Sequence, residues 1–308
     1  MRWVIGGVMV AVMLVITACG TARQPSAATS SPTSVDTPIR IGSKDFTEQF
    51  ILGEMYALIL EDAGLPVERM LNMGSTDIVQ LALLSNDVDL YPEYTGTGLL
   101  NVLRLPISDD PSQVYELVRT GYAEQFNLIW LDPAPMNNTQ ALAMTRKRAE
   151  ELGIVTISDM VAQAAQLVMI GPPEFQERED GLPGLQAVYG DFTLREFKPV
   201  APDKRYQALA EGAGDITVAF GTDGEIAVFD LVLLEDDKQL FPPYQVAPVI
   251  RADVLAAHPE IAPALNRLAP LLDDATMQRL NNEVSGNQRS PAAVAREFLE
   301  AQGLIQSR

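Results

Sequence analysis

Apolar positions fall into two alternating periods along most of the chain. Residues 39–41 (Ile-Arg-Ile) alternate as a strand does, and Ile51, Leu52, Met55, Leu58 and Ile59 then recur at helical spacing up to Gly64, a good C-terminal stop. Asp45 is followed three residues later by Glu48, the spacing of a capping box at that helix's start. Residues 67–71 read as a second strand, 77–84 as a second helix and 88–90 as a third strand. This βαβαβ order predicts a mostly parallel sheet with helices on both faces.

The alternation restarts after Trp130. Strand patterns fall at 141–145, 166–170, 195–200, 215–220 and 231–234; helical patterns fall at 146–152 and 206–211, and Ser158 is placed to cap another helix. From Val246 the chain gives one strand and then mostly helices. Pro-rich joints at 132–135 and 241–243 flank the middle section. A chain that leaves one α/β lobe, builds a second and returns has this pattern, with lobe one expected at 39–136 plus 246–308 and lobe two at 137–245. An internal echo fits two similar lobes: a shift of 126 residues lays Ala82-Leu83, Asp89, Tyr94 and Gly98 on Ala208-Leu209, Asp215, Phe220 and Gly224. Tyr94 and Phe220 would then end matching strands, where ligands collect in open α/β sheets.

The N-terminal pattern is different. Arg2 precedes an uncharged apolar run at 3–16, too short to span a bilayer comfortably and shaped like a secretory signal. Ile16-Thr17-Ala18-Cys19 then resembles a bacterial lipobox, so residues 1–18 are expected to be removed and Cys19 lipidated. Residues 19–38 are rich in Ser, Thr, Ala and Pro without apolar periodicity, which suits a flexible tether. These features predict a location in the cell envelope outside the cytoplasm, on the periplasmic or extracellular face of a membrane. Cys19 is the one cysteine, so the folded part has no disulfide. Trp130, the tryptophan left after signal removal, lies near the first joint and is a candidate reporter of lobe movement.

Composition narrows the chemistry. A net charge of −19 argues against nucleic acid and anionic lipid surfaces as partners, since both need clustered Lys and Arg. The one histidine, His258, sits before Pro259 and reads as a solvated helix-end residue, which removes most histidine-dependent catalysis and zinc sites. Neither a Gly-x-Ser-x-Gly elbow nor a phosphate loop occurs, and the acid pairs Asp45/Glu48 and Asp89/Glu93 have readier explanations in capping and turn chemistry than in hydrolysis. A binding protein fits better than an enzyme.

Four strand-to-helix joints offer helix-start N–H groups with short hydroxyl or amide side chains: 42–49 (GSKDFTEQ), 91–98 (YPEYTGTG), 137–140 (NNTQ) and 220–224 (FGTDG). Each alone is explained by capping and turn formation; together they also suit a ligand carrying an anionic group. As a set, with GSKDFTEQFILGE, DLYPEYTGTG and LVLLEDDKQLFPPYQVAPVIR, they resemble the glycine betaine/carnitine/choline-binding proteins of ABC importers over essentially all of 39–308. The resemblance implies a type II periplasmic-binding-protein fold: two α/β lobes joined by two crossover strands around a ligand cleft. It implies a small quaternary ammonium or zwitterionic ligand, no cofactor, ABC permease and ATPase subunits as partners, and a monomer.

Position by position, the resemblance makes Tyr94 and Tyr244 walls of an aromatic box, Thr97 a hydroxyl beside it and Lys44 a polar cleft residue. Phe220 falls where the family usually has Tyr, and Arg178 where members with a carboxylate ligand place an arginine. Asn138 stands where some members are acidic, and Gln140 where an aromatic is common. Gln140 brings two donors and an acceptor to that wall, which suits a more polar zwitterionic or amine solute as the alternative ligand; a sensor would need the same capture and closure.

Overall fold

The computed structural model describes residues 37–306 apart from 107, 178–180 and 202–203. Cys19, the run before it, nearly all of the 19–38 tether and Arg178 lie outside the described residues. In order, the strands are β1 (Ile39–Gly42), β2 (Val67–Met70), β3 (Leu90–Tyr94), β4 (Leu128–Trp130), β5 (Gln140–Thr145), β6 (Val168–Gly171), β7 (Glu196–Pro199), β8 (Ile216–Phe220), β9 (Leu231–Leu233) and β10 (Val246–Arg251). They form two five-stranded sheets, β2-β1-β3-β10-β4 and β7-β6-β8-β5-β9, within one compact unit at 36–308.

The two orders are the same permutation. β1 runs parallel to β2 and β3, and β6 runs parallel to β7 and β8. β10 runs antiparallel to β3 and β4, as β5 does to β8 and β9. The sheets are therefore mixed, not mostly parallel as the βαβαβ reading predicts. The physical reason lies in the connections: β5 and β10 each arrive from the other lobe and enter against the direction of the strands built locally.

The sequence echo is a structural equivalence. Asp89 and Asp215 each lock the start of an inner strand to its parallel neighbour. The N–H of Asp89 donates to Arg40 O at 2.8 Å while its carboxylate accepts from Arg40 N at 2.8 Å; Asp215 does the same with Val168 at 2.7 and 2.8 Å. An arginine closes each arrangement, Arg40 Nε at 3.0 Å from Asp89 and Arg148 Nε at 2.8 Å from Asp215.

Helix α1 (Thr47–Asp62) is the hub of lobe one. Eleven of its sixteen residues are buried, so it packs on β1 and β3 with one side and under the C-terminal helices Asp274–Ser285 and Pro291–Ala301 with the other. Four local expectations change. The capping box at 45–48 does not form: Phe46 is the N-cap, without a side-chain cap bond, and Glu48 turns inward to other donors. Thr156, not Ser158, caps the helix Ile157–Ala162 in a reciprocal box with Asp159. The third strand begins at Leu90 and runs through Pro92, which faces Pro248 across the β3–β10 pair. His258 does end a helix, Ala252–Ala257, but is 9% exposed rather than solvated, with Nδ1 3.4 Å from Glu260 Oε1.

Candidate ligand-binding cleft

Two segments link the sheets, 131–139 between β4 and β5 and 234–245 between β9 and β10. They run bonded together. Asn138 N donates to Tyr244 O at 3.2 Å, Tyr244 N to Asn137 Oδ1 at 2.7 Å, and Thr139 Oγ1 to Pro242 O at 2.9 Å. Glycine is needed where backbones meet here. A Cβ on Gly96 would stand 2.8 Å from both Pro243 O and the Tyr244 ring, and one on Gly221 would stand 2.2 Å from Asn137 O.

Beside these crossovers lies a cleft of about 890 Å³, within the range of small-molecule sites. It gathers Lys44, Tyr94 and Thr97 from the first sheet's side, Phe220 from the second, and Asn138, Gln140 and Tyr244 from the crossovers and their ends. Seven of the eight candidate ligand residues thus meet in one place; the eighth, Arg178, lies outside the described residues. The equivalence of β3 and β8 is what aims two rings at one space. Tyr94 and Phe220 are the last residues of these strands, and each is paired to the first residue of an arriving strand, Val246 and Gln140.

The two rings are held differently. Tyr94 is 3% exposed, its ring lies nearly parallel to Phe46 at 6.2 Å, and its hydroxyl donates to Glu48 Oε1 at 2.7 Å. Burial and the Glu48 charge push the phenol well above its usual range, so it stays a donor. Lys44 Nζ stands 4.9 Å from the same ring centroid and pairs with the buried Glu93 at 2.5 Å. Glu93 also accepts from the Tyr91 hydroxyl at 2.9 Å and from Tyr94 N at 2.6 Å, which satisfies a buried carboxylate. Phe220, by contrast, is 38% exposed, with Arg205 Cζ 5.8 Å from its ring; Arg205 is fixed by Asp223 at 2.7 Å.

Several cleft residues escape the sequence reading. Phe46 and Phe241 add ring faces, and Ser75, Thr76 and Asn101 add polar groups. Phe46 sits inside the quoted 42–49 segment as the N-cap of α1, where the apolar period gives no sign that its ring faces a cleft. Glu48, behind the wall, accepts from Asn138 Nδ2 at 3.0 Å and Asn281 Nδ2 at 2.8 Å besides Tyr94. Burial raises its carboxyl above the usual range, and hydrogen bonds from Thr222, Tyr94 and Asn281 draw it back only in part. Among the described residues no three His, Cys, Asp or Glu are grouped to hold a metal ion.

Rings from both lobes and a crossover line this cleft, with hydroxyl, amide and ammonium groups among them. Two equivalent α/β lobes joined by paired crossovers around such a cleft define a bilobal, periplasmic-type solute-binding protein.

The chain belongs to the family described as the substrate-binding domain of ABC-type glycine betaine transport systems, which matches residues 37–301; it is a transport component and not an enzyme. It is 37% identical over 277 residues to a glycine-betaine-binding protein of Pseudomonas aeruginosa, covering 87% of this chain and 88% of that one. It is 35% identical over 268 residues to the ergothioneine transport permease/ergothioneine binding protein EgtU of Helicobacter pylori, covering 87% of this chain but 48% of that one, so the chain spans about half of that relative's length. A crystal structure of a glycine betaine/carnitine/choline ABC transporter superposes with a TM-score of 0.82 at 30% identity, covering 86% of this chain and 99% of that chain. No helix among the described residues is long and apolar enough to cross a membrane.

Proposed function

We infer that this chain captures a betaine-type solute outside the cytoplasm and delivers it to the permease of an ABC importer. The observation that carries this reading is the meeting of Tyr94, Phe220 and Tyr244 around one cleft, from two equivalent strand ends and the return crossover. A trimethylammonium has no N–H to donate, so hydrogen bonds cannot select it. Ring faces can, at roughly 0.5–2 kcal/mol each. Lobe one (39–136 with 246–308) and lobe two (137–245) close on the ligand. Thr97 then offers a hydroxyl to its carboxylate, together with Arg178 by a charge-assisted pair, while Lys44 lines the same cleft as a polar residue. Cys19 carries the lipid, and the 19–38 tether keeps the monomeric lobes within reach of permease and ATPase.

Calorimetric titration of the mature chain with glycine betaine, choline and carnitine tests the reading. Binding of at least one supports it, and no heat with any of them overturns it. Mass spectrometry of detergent-extracted protein tests the anchor, which predicts a lipid-modified N-terminal Cys19.

A second reading has its own observation. Gln140 stands opposite Phe220, where it offers an amide to a ligand wider than glycine betaine. A betaine with an additional polar ring or side group, of which ergothioneine is one, fits that wall, and preference for it over glycine betaine in the same titration would favour this reading.

A further inference from the structure

Glu48 lies behind the cleft rather than on it. It is 3% exposed in the first turn of α1, and four elements converge on it. Oε1 accepts from the Tyr94 hydroxyl at 2.7 Å and from Asn138 Nδ2 at 3.0 Å, and Oε2 accepts from Asn281 Nδ2 at 2.8 Å. Asn281 also spans to Thr222 O at 2.7 Å, so the carboxylate ties β3, a crossover, a lobe-two loop and a C-terminal helix together. The cations near the cleft are committed to other carboxylates, Lys44 to Glu93 and Arg205 to Asp223. The partners of Glu48 are neutral donors, which stabilise its charge without cancelling it.

Two of those donors are cleft residues. A phenol that donates its proton toward a carboxylate gains electron density in its ring, and the ring face becomes a better seat for a cation. The Tyr94 ring already has the Lys44 ammonium 4.9 Å from its centroid. Asn138 gives its nitrogen to Glu48 and keeps Oδ1 as a buried acceptor without a partner among the described residues. In a site screened from water the field of an uncancelled carboxylate reaches through one side chain with little loss.

We propose that Glu48 is a specificity-determining positioning residue, the buried anion through which the cleft reads its ligand's positive charge by way of the Tyr94 ring and the Asn138 amide. This rests on the betaine reading of the cleft.

The test compares glycine betaine with 3,3-dimethylbutanoate, the same shape with carbon in place of the charged nitrogen. Titration of the full chain, with displacement for the weaker ligand, gives both affinities. Glu48→Gln is expected to weaken glycine betaine by about tenfold or more and leave 3,3-dimethylbutanoate within about twofold. Equal weakening of both ligands makes Glu48 merely structural and overturns the proposal, as does no change in either. Thermal melting checks that the variant folds. Tyr94→Phe, which keeps the ring and cuts the link, should weaken glycine betaine by about threefold and make a later Glu48→Gln change smaller than in the wild type. Additive effects of the two substitutions overturn the route through Tyr94. A wild-type chain that binds neither ligand sinks the betaine reading and this role with it; wild-type binding with an unchanged ratio in Glu48→Gln sinks only the role of Glu48.

Discussion

Gln140 stands directly opposite Phe220 in the antiparallel pairing of β5 with β8. The wall of lobe two is therefore half ring and half amide, where lobe one offers Tyr94 backed by Phe46. Gln140→Tyr would supply the missing ring face. Affinity for choline and glycine betaine is expected to rise by roughly 0.5–2 kcal/mol, read by titration. A fall in affinity for both would mean that Gln140 makes a polar contact the ligand needs.

Tyr244 and Tyr94 should separate binding from stability. Tyr244 is only partly buried at the return crossover, so Tyr244→Ala should weaken glycine betaine by about tenfold or more with little change in unfolding midpoint. Tyr94 belongs to the lobe-one core, so Tyr94→Ala should lose binding and also about 3–5 kcal/mol of stability in denaturant titrations. Wild-type affinity in Tyr244→Ala would remove it from the binding wall.

A methyl at position 96 tests the crossover contact. Gly96→Ala sets a carbon 2.8 Å from both Pro243 O and the Tyr244 ring, and backbone cannot yield as a side-chain tip does. The return crossover must shift, carrying Tyr244 with it. Glycine betaine affinity should drop by about fivefold or more with a lowered melting temperature, and an unchanged Kd would show that Tyr244 tolerates displacement.

Much of this architecture is legible in the sequence. Alternating periods reveal both lobes and the returning strand at Val246, and the four joints fall where strand ends meet the cleft. What escapes has physical causes. Strand β4 is three residues long, too short for a period to register. Strand β3 hides behind Tyr-Pro-Glu-Tyr because Pro92 and Glu93 look like a turn, yet Glu93 is fully buried by pairing with Lys44. Glu48 reads as a cap because local spacing cannot register donors 46, 90 and 233 positions away. Trp130, near the first crossover in sequence, is buried against Tyr122 in the lobe-one core at 5.2 Å, so it is a poor reporter of closure.

The Lys44–Glu93 pair predicts a non-additive cycle. Removing one member of a buried pair leaves an uncompensated charge, at about 3–5 kcal/mol. Lys44→Met should therefore be strongly destabilising, while Lys44→Met with Glu93→Gln should recover most of that loss in chemical denaturation. Equal destabilisation of the single and double variants would show that packing, not charge, dominates there.

The raised Glu48 carboxyl gives stability and binding opposite pH dependences. The folded chain takes up this proton at higher pH than the unfolded chain, whose glutamate has the ordinary value of 4.5. The group's contribution to stability is thus fully present below that value and is lost as pH rises through the raised folded value. Tyr94 and Asp223 are the titratable groups facing Glu48, and Asp223 adds to the upward shift. Choline, which does not titrate, should bind more weakly as pH falls through the raised folded value and Glu48 is neutralised. Glu48→Gln should flatten that dependence; a flat wild-type profile would argue that the carboxylate does not act on the ligand.

Tyr94 is fixed by Glu48, Phe46 and the surrounding core, whereas Phe220 keeps more than a third of its surface in solvent. The cleft therefore has one wall held fast by the core and one still open to solvent. Changes at positions such as 140 and 220 can thus reshape the cleft without disturbing the lobe-one core that fixes Tyr94.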